Sequence, residues 1–304
     1  DYYYVNYPQV FDGEEHEGYY TQEQIKDVVA YAASKYINVV PEIEMPGHAL
    51  AALASYPELS FDSTQTYKVS PTWGVFEQVF CPSETTFKFF EGVMDEVVEL
   101  FPSEYIHIGG DECPKTAWKN SAFCQQLIRQ LGLKDDVTPS KVDGVKHSKE
   151  DKLQSYFVTR MEKYLNDKGR NIIGWDEILE GGLAPNATVM SWRGVEGGLN
   201  AAKAGHNAIM TPMPYAYLDF YQEDPAIAPT TIGGYTTLKK TYSYNPAPDD
   251  ADELVKKHVI GMQGNIWREY MKNSDRTDYQ AFPRAMAIAE TGWTLDANIM
   301  AGRD

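Results

Sequence analysis

The feature that most constrains this chain is a recurrence along its length. Short apolar or β-branched runs alternate with amphipathic stretches. The runs are 37–43, 105–108, 171–175, 187–192, 207–212 and 259–267. Strands alternating with helices predict parallel βαβ units. A length of 304 residues suits one large α/β domain of the TIM (β/α)8 barrel type, and a single domain over 1–304 is expected. Such barrels carry their chemistry where strands end. Here each strand end bears polar or aromatic residues: His48, Asp111 with Glu112, Trp175, Trp192, Tyr217 with Asp219, and Trp267 with Glu269.

The central run is Tyr105-Ile106-His107-Ile108-Gly109-Gly110-Asp111-Glu112. It starts as a buried strand. Two glycines follow, where backbone can turn sharply or approach a ligand. Two adjacent carboxylates come next, with no basic residue before Lys115. Paired acids at the end of a buried strand are costly unless hydrogen-bonded or partly neutral. Chemistry that needs one proton donor and one charged stabiliser uses such a pair. Read alone, an Asp-Glu turn is a solvated strand end, and single tryptophans are core or rim aromatics.

Composition narrows the partners. Lys plus Arg total 27 against 44 Asp plus Glu, a formal net charge of −17. That field repels a phosphate backbone, so nucleic acid is not an expected partner and a neutral ligand is. No apolar run of membrane-spanning length occurs, and no secretion signal is visible in 1–20. Twenty-one Tyr and six Trp are present; most such rings are simply core, and those at the surface are natural stacking platforms for sugar faces. The cysteines Cys81, Cys113 and Cys124 read as reduced and isolated, not as a disulfide framework. His48, His107, Asp111 and Glu112 are potential metal ligands, but no HExxH or paired-His spacing is present, and no metal is expected.

Local signals place the elements. Thr21 with Gln24 reads as a capping box, opening a helix with Ile25, Val28, Val29, Ala32 and Ala33 on one face. Residues 55–82 read as a long loop, 84–101 and 119–131 as helices, and 132–150 as a mobile polar excursion. A helix over 152–168 closes at Gly169. A short helix spans 195–204, 222–258 is mainly loop with a late helix, and 279–293 is the closing helix.

Several motifs together resemble the family twenty glycoside hydrolases, the β-N-acetylhexosaminidases. They are the segment Pro41-Glu42-Ile43-Glu44-Met45-Pro46-Gly47-His48, the central His107-Ile108-Gly109-Gly110-Asp111-Glu112, Gly174-Trp175-Asp176-Glu177, Ser191-Trp192-Arg193-Gly194 and Gly264-Asn265-Ile266-Trp267-Arg268-Glu269. The resemblance runs from Gly18 to the helix ending at Trp293. It implies a retaining exo-β-N-acetylhexosaminidase acting on terminal GlcNAc or GalNAc of glycans or chitooligosaccharides, with no cofactor. The family's substrate-assisted route uses the substrate's own acetamide oxygen as nucleophile, through an oxazolinium ion.

The resemblance also implies roles. Glu112 is the general acid and then the base. Asp111 holds the acetamido nitrogen, and Tyr217 the acetamide oxygen. Trp175, Trp192 and Trp267 wall the acetamide, Asp219 and Glu269 bind sugar hydroxyls, and His48 supports the acidic pair. Glu44 stands where the family more often has Asp. The family's first two barrel strands and a sugar-gripping Arg find no match, so an incomplete barrel is expected, with the runs 37–43 and 259–267 at its edges. A periplasmic or extracellular location is implied by the resemblance alone. The alternative from another class is a non-catalytic sugar-binding barrel.

Overall fold

The computed structural model describes residues 17–71, 73–248 and 250–294. Most of the loop expected over 1–20 lies outside them. The chain divides into two compact units, one over 17–188 and one over 189–294 of the described residues. The α/β expectation holds in each. The described residues contain six strands, all in parallel pairs, against the eight of a closed (β/α)8 barrel.

The first unit contains α1 (Gln22–Ser34), β1 (Glu42–Met45), α2 (Leu50–Ser55), α3 (Glu84–Leu100), β2 (Tyr105–Gly109), α4 (Thr116–Asn120), α5 (Ala122–Gln130), α6 (Lys149–Asp167) and β3 (Asn171–Trp175). β2 pairs with β1 on one side and β3 on the other. The capping box opens α1 as expected, but the helix fully buries no residue: Ile25, Val29 and Ala32 are half-buried and Val28 is exposed.

The strand expected over 37–43 is shifted. Ile37 and Val40 are exposed, and regular pairing covers only β1. Pro41 explains the late start, because it offers no ladder N–H. Its carbonyl still accepts from the His107 amide at 2.9 Å.

Behind β2, α3 and α6 pack through aromatics. Phe87 and Phe157 lie 4.8 Å apart, and Phe90 meets both Phe80 and Phe157 edge-on. Full burial of one such ring contributes about 1.5–3 kcal/mol. The helix expected over 119–131 is two helices, because Ser121 leaves the helical conformation and caps α5 through the Cys124 amide.

The excursion over 132–150 has no helix or strand before α6, yet it is pinned. Lys152 Nζ donates to Asp136 Oδ1 and the Lys134 carbonyl, each at 2.6 Å, and His147 pairs with Asp143 at 2.8 Å. The Lys149 amide donates to Asp135 at 2.8 Å.

The second unit contains β4 (Thr188–Ser191, starting at the boundary), α7 (Glu196–Lys203), β5 (Ala208–Met210), α8 (Met213–Ala216), α9 (Leu238–Tyr242), α10 (Glu253–His258), β6 (Val259–Met262), α11 (Ser274–Ala281) and α12 (Arg284–Trp293). β5 pairs with β4 and with β6. The strand expected to reach Trp267 ends at Met262, and a single bridge, Tyr217 with Asn265, resumes the pairing. The closing helix is split by Pro283, which cannot continue α11. Among the described residues β1 pairs only with β2, and β6 only with β5. No helix of the described residues is long and apolar enough to cross a membrane.

The α6 capping box ties the pinned segment to the helix: Ser148 Oγ accepts from the Asp151 amide, and Asp151 accepts from the Ser148 amide at 2.7 Å. Ser148→Ala is expected to cost about 1 kcal/mol. A urea-unfolding midpoint equal to that of the unmutated chain would contradict this role for the box.

Candidate active site

Beyond β2 the backbone enters a region that glycine alone occupies easily. Gly109 has φ 68° and Gly110 φ 95°. A Cβ on Gly109 would meet Glu44 Oε2 at 2.0 Å, so the missing side chain is the space in which Glu44 sits. The Gly110 amide donates to Glu44 Oε1 at 3.1 Å, and its carbonyl accepts from Gln154 Nε2 at 2.7 Å. Gln154, buried on α6, is itself held by Lys115 Nζ at 2.6 Å. The turn is therefore clamped from two elements before the acids begin.

Glu112 (φ 44°) and His48 (φ 46°) also adopt the left-handed conformation, which is uncommon outside glycine. The two residues carry these bends so that their side chains converge. His48 Nε2 lies 3.3 Å from Asp111 Oδ2 and 3.3 Å from Glu112 Oε2. Asp111 is largely covered, whereas about a third of the Glu112 and His48 side chains is open.

The electrostatics follow from that contact. Hydrogen bonds to Asp111 and then Glu112 raise His48 to about 10, against an opposing effect of burial. The imidazole is therefore a cation at neutral pH. Burial, then the Asp111 charge, hold Glu44 well above the usual carboxylate range. Burial also acts upward on Asp111, but hydrogen bonds from His48 and Glu44 outweigh it and leave Asp111 below its ordinary value. The pair divides its roles: Glu44 keeps a proton and Asp111 keeps the charge. The ligand-capable atoms of His48, Asp111 and Glu112 lie within 4.8 Å of one another, close enough to face one cation.

A second layer lies behind. The Trp175 indole N–H donates to Glu42 Oε1 at 2.8 Å, and the His107 ring lies 4.9 Å from the Trp175 ring. The Gly109 amide lies 3.0 Å from His107 Nδ1, and Glu42 Oε1 lies 3.2 Å from the same nitrogen. His107 is buried, in keeping with a support role.

The second unit holds the other candidates. Tyr217 is buried, with its ring 6.3 Å from that of Trp192 and 5.4 Å from Phe220. The Leu218 amide donates to the Asn265 carbonyl at 2.7 Å, and the Asn265 amide to the Ala216 carbonyl at 2.8 Å. The segment bearing Tyr217 and Asp219 thus runs beside the one that leads to Trp267 and Glu269, both exposed. Asp219 is buried, and its Oδ1 has no hydrogen-bond partner among the described residues. Burial raises it to about 8, assisted by the Glu269 charge and opposed by its own amide and Arg284.

Arg284 brackets Asp219. It donates to the Leu218 carbonyl at 2.6 Å and the Phe220 carbonyl at 3.2 Å, and to Thr236 and Gln280 carbonyls at 2.8 Å each.

Residue reading from the sequence found His48, Asp111 and Glu112, which the fold brings together, and Trp175 in the same unit. It left Glu42, Gln154 and Arg284 without a site role, and gave Glu44 only a place in the supporting network. The two glutamates carried a signal: in a strand, residues two apart share a face, so Glu42 and Glu44 both turn to one side. An arginine among Ala285, Met286, Ala287 and Ile288 was a second sign of a buried, purposeful charge.

Comparison with known proteins decides the lineage. The family model described as glycosyl hydrolase family 20, catalytic domain, matches residues 5–296. The chain belongs to glycosyl hydrolase family 20. It is 50% identical over 285 residues to a beta-hexosaminidase of Porphyromonas gingivalis, covering 93% of this chain and 35% of that protein.

A beta-hexosaminidase of Vibrio furnissii is 36% identical, with 95% of this chain and 45% of that protein covered. Among solved family 20 structures, an exo beta-N-acetylglucosaminidase of Vibrio harveyi in complex with N-acetylglucosamine matches with TM-score 0.79 and 33% identity. That match covers 95% of this chain and 44% of the other. The chain thus spans about a third to a half of the length of these relatives.

Gly109→Ala tests the clamp. The new methyl occupies the Glu44 site and the backbone conformation is disfavoured for any Cβ by roughly 1–2 kcal/mol. A lowered melting temperature together with a shifted His48 titration is expected. Unchanged values for both would show that Glu44 is not seated against Gly109.

Proposed function

We propose that the chain is the catalytic part of a retaining exo-β-N-acetylhexosaminidase that works by substrate-assisted catalysis. The carrying observation is the convergence of Asp111 and Glu112 just beyond β2, each 3.3 Å from His48 Nε2, with Asp111 the more covered of the two. A fixed Asp111 charge suits a group that orients the acetamido N–H and offsets positive charge developing on the sugar ring. Glu112 is more open than Asp111, which supports assigning it to the leaving glycosidic oxygen. The acetamide oxygen then attacks the anomeric carbon, the glycosidic bond breaks, and Glu112 gives its proton to the departing oxygen. In the second half, Glu112 takes a proton from water as water opens the oxazolinium ring. Holding the acetamide against the ring supplies proximity.

The remaining roles are carried over from the resemblance. Tyr217 hydrogen-bonds the acetamide oxygen, and Trp175, Trp192 and Trp267 contact the acetamide. Asp219 and Glu269 take sugar hydroxyls. The substrates are glycans or chitooligosaccharides ending in β-linked GlcNAc or GalNAc. The chain acts as one catalytic domain, in the periplasm or outside the cell.

Glu112→Gln is expected to lower turnover about 10²–10⁴-fold on substrates with poor leaving groups, and less on aryl substrates with good ones. Equal, unmutated rates on both would remove Glu112 from the role of acid. A plain β-glucoside, lacking the acetamide, is expected to be nearly inert, and a thiazoline that mimics the cyclic intermediate to inhibit strongly. Efficient glucoside hydrolysis would point instead to a protein nucleophile. Sugar binding without turnover on any substrate would favour the non-catalytic reading.

A further inference from the structure

Lys115 is the first basic residue after the two acids, yet its ion pair is with Asp151 on α6, Nζ to Oδ1 at 3.8 Å. An ammonium has three protons to give and accepts none. Lys115 Nζ donates to the Cys113 carbonyl at 2.8 Å and to Gln154 Oε1 at 2.6 Å. Gln154 passes the contact on, because its Nε2 donates to the Gly110 carbonyl at 2.7 Å. Gly110 precedes Asp111, and Cys113 follows Glu112. One ammonium therefore holds the backbone on both sides of the acidic pair, directly at one end and through Gln154 at the other. Gln154 is buried, and the Lys115 side chain is only 14% exposed. Gly47, at the end of β1, lies against the same loop: a Cβ there would meet the Asp111 carbonyl at 2.9 Å and Cys113 Cα at 3.1 Å. The loop is thus pressed close to the β1 end and tied to α6.

We infer that Lys115, acting through Gln154 and the Cys113 carbonyl, is a positioning residue that sets where Glu112 meets the leaving group. The inference rests on the reading of Glu112 as the general acid. Glu112 sits at φ 44°, a conformation uncommon outside glycine, which persists where the surroundings hold it. Without the ammonium, the Cys113 carbonyl and Gln154 Oε1 lose a charged donor in a covered place. Gln154 is then free to turn away from Gly110. A shift of about 1 Å at a reacting group can cost about 10²-fold in rate.

The test compares the full chain with Lys115→Met, Lys115→Arg and Gln154→Leu on N-acetyl-β-glucosaminides whose leaving groups range from good to poor. Lys115→Met keeps the stem and removes the donors. It is expected to lower kcat about 10–10²-fold on poor leaving groups and less on good ones, with KM little changed. Lys115→Arg can still donate at both ends and should restore most of the rate. Gln154→Leu releases only the Gly110 side and should cost less. In the double variant its effect should not add to that of Lys115→Met, because the two act through one contact. The NMR ring signals of His48, which touches both acids, should shift in Lys115→Met whether or not substrate is turned over.

A Lys115→Met chain that is less stable, yet keeps its kcat, its leaving-group dependence and its His48 signals, would overturn the inference. So would an equal loss of rate on every leaving group, which marks general loosening of the fold. If Lys115→Met does not fold, Gln154→Leu and Lys115→Arg decide by the same readouts. No turnover by the unmutated chain would overturn the reading of Glu112 itself. In that case the His48 signals decide whether Lys115 places the acids: shifted if it does, unmoved if it does not.

Discussion

The first unit depends on how it distributes charge among three carboxyls and one imidazole. Glu44, Asp111 and Glu112 surround His48, and three adjacent anions there would repel one another. The structure resolves this in two ways. His48 is a cation that touches both acids of the central motif, and Glu44, driven up by burial, keeps its proton and shares it with Asp111 only as a hydrogen bond. The linkage has a definite sign. His48 is raised in the folded chain, so its contribution to stability is complete below its ordinary value near 6.5 and is lost as pH rises through about 10.

The backbone serves this arrangement. β2 delivers the chain to two glycines whose missing side chains leave room for the Glu44 carboxyl and a sharp turn. Gln154 on α6 holds the turn from behind, and His48 enters from the end of β1 in a conformation that costs energy outside glycine. The second unit follows a similar plan around a different charge: Arg284 and Gln280 bind the carbonyls on both sides of Asp219, fixing a carboxyl that burial alone would destabilise. In both places a polar side chain is held in position by buried backbone groups that must find partners in any case.

Much of this was legible in the residues. β3 was placed to the residue because Asn171–Trp175 is bounded by a glycine and an acidic turn. The acids at the end of β2 stood out because nothing basic neutralises them in sequence. The strand at 37–43 was misplaced because β-branched residues look alike whether buried or exposed, and only pairing distinguishes Ile37 from Ile43. The helix over 119–131 was read as one because a serine in mid-pattern does not show whether it caps or faces solvent. Arg284 went unassigned, and Glu44 was given no definite contact, because their partners lie 64 and 66 positions away in sequence.

The account stands or falls on the charge of His48. The direct measurement is an NMR titration of the histidine ring signals, assigned by comparison with His48→Asn. The ring of His48 is expected to remain protonated through neutral pH and to lose its proton near 10. A His48 that titrates near the ordinary 6.5 would mean that no imidazolium holds Asp111 and Glu112 together at neutral pH, and would contradict the arrangement described here.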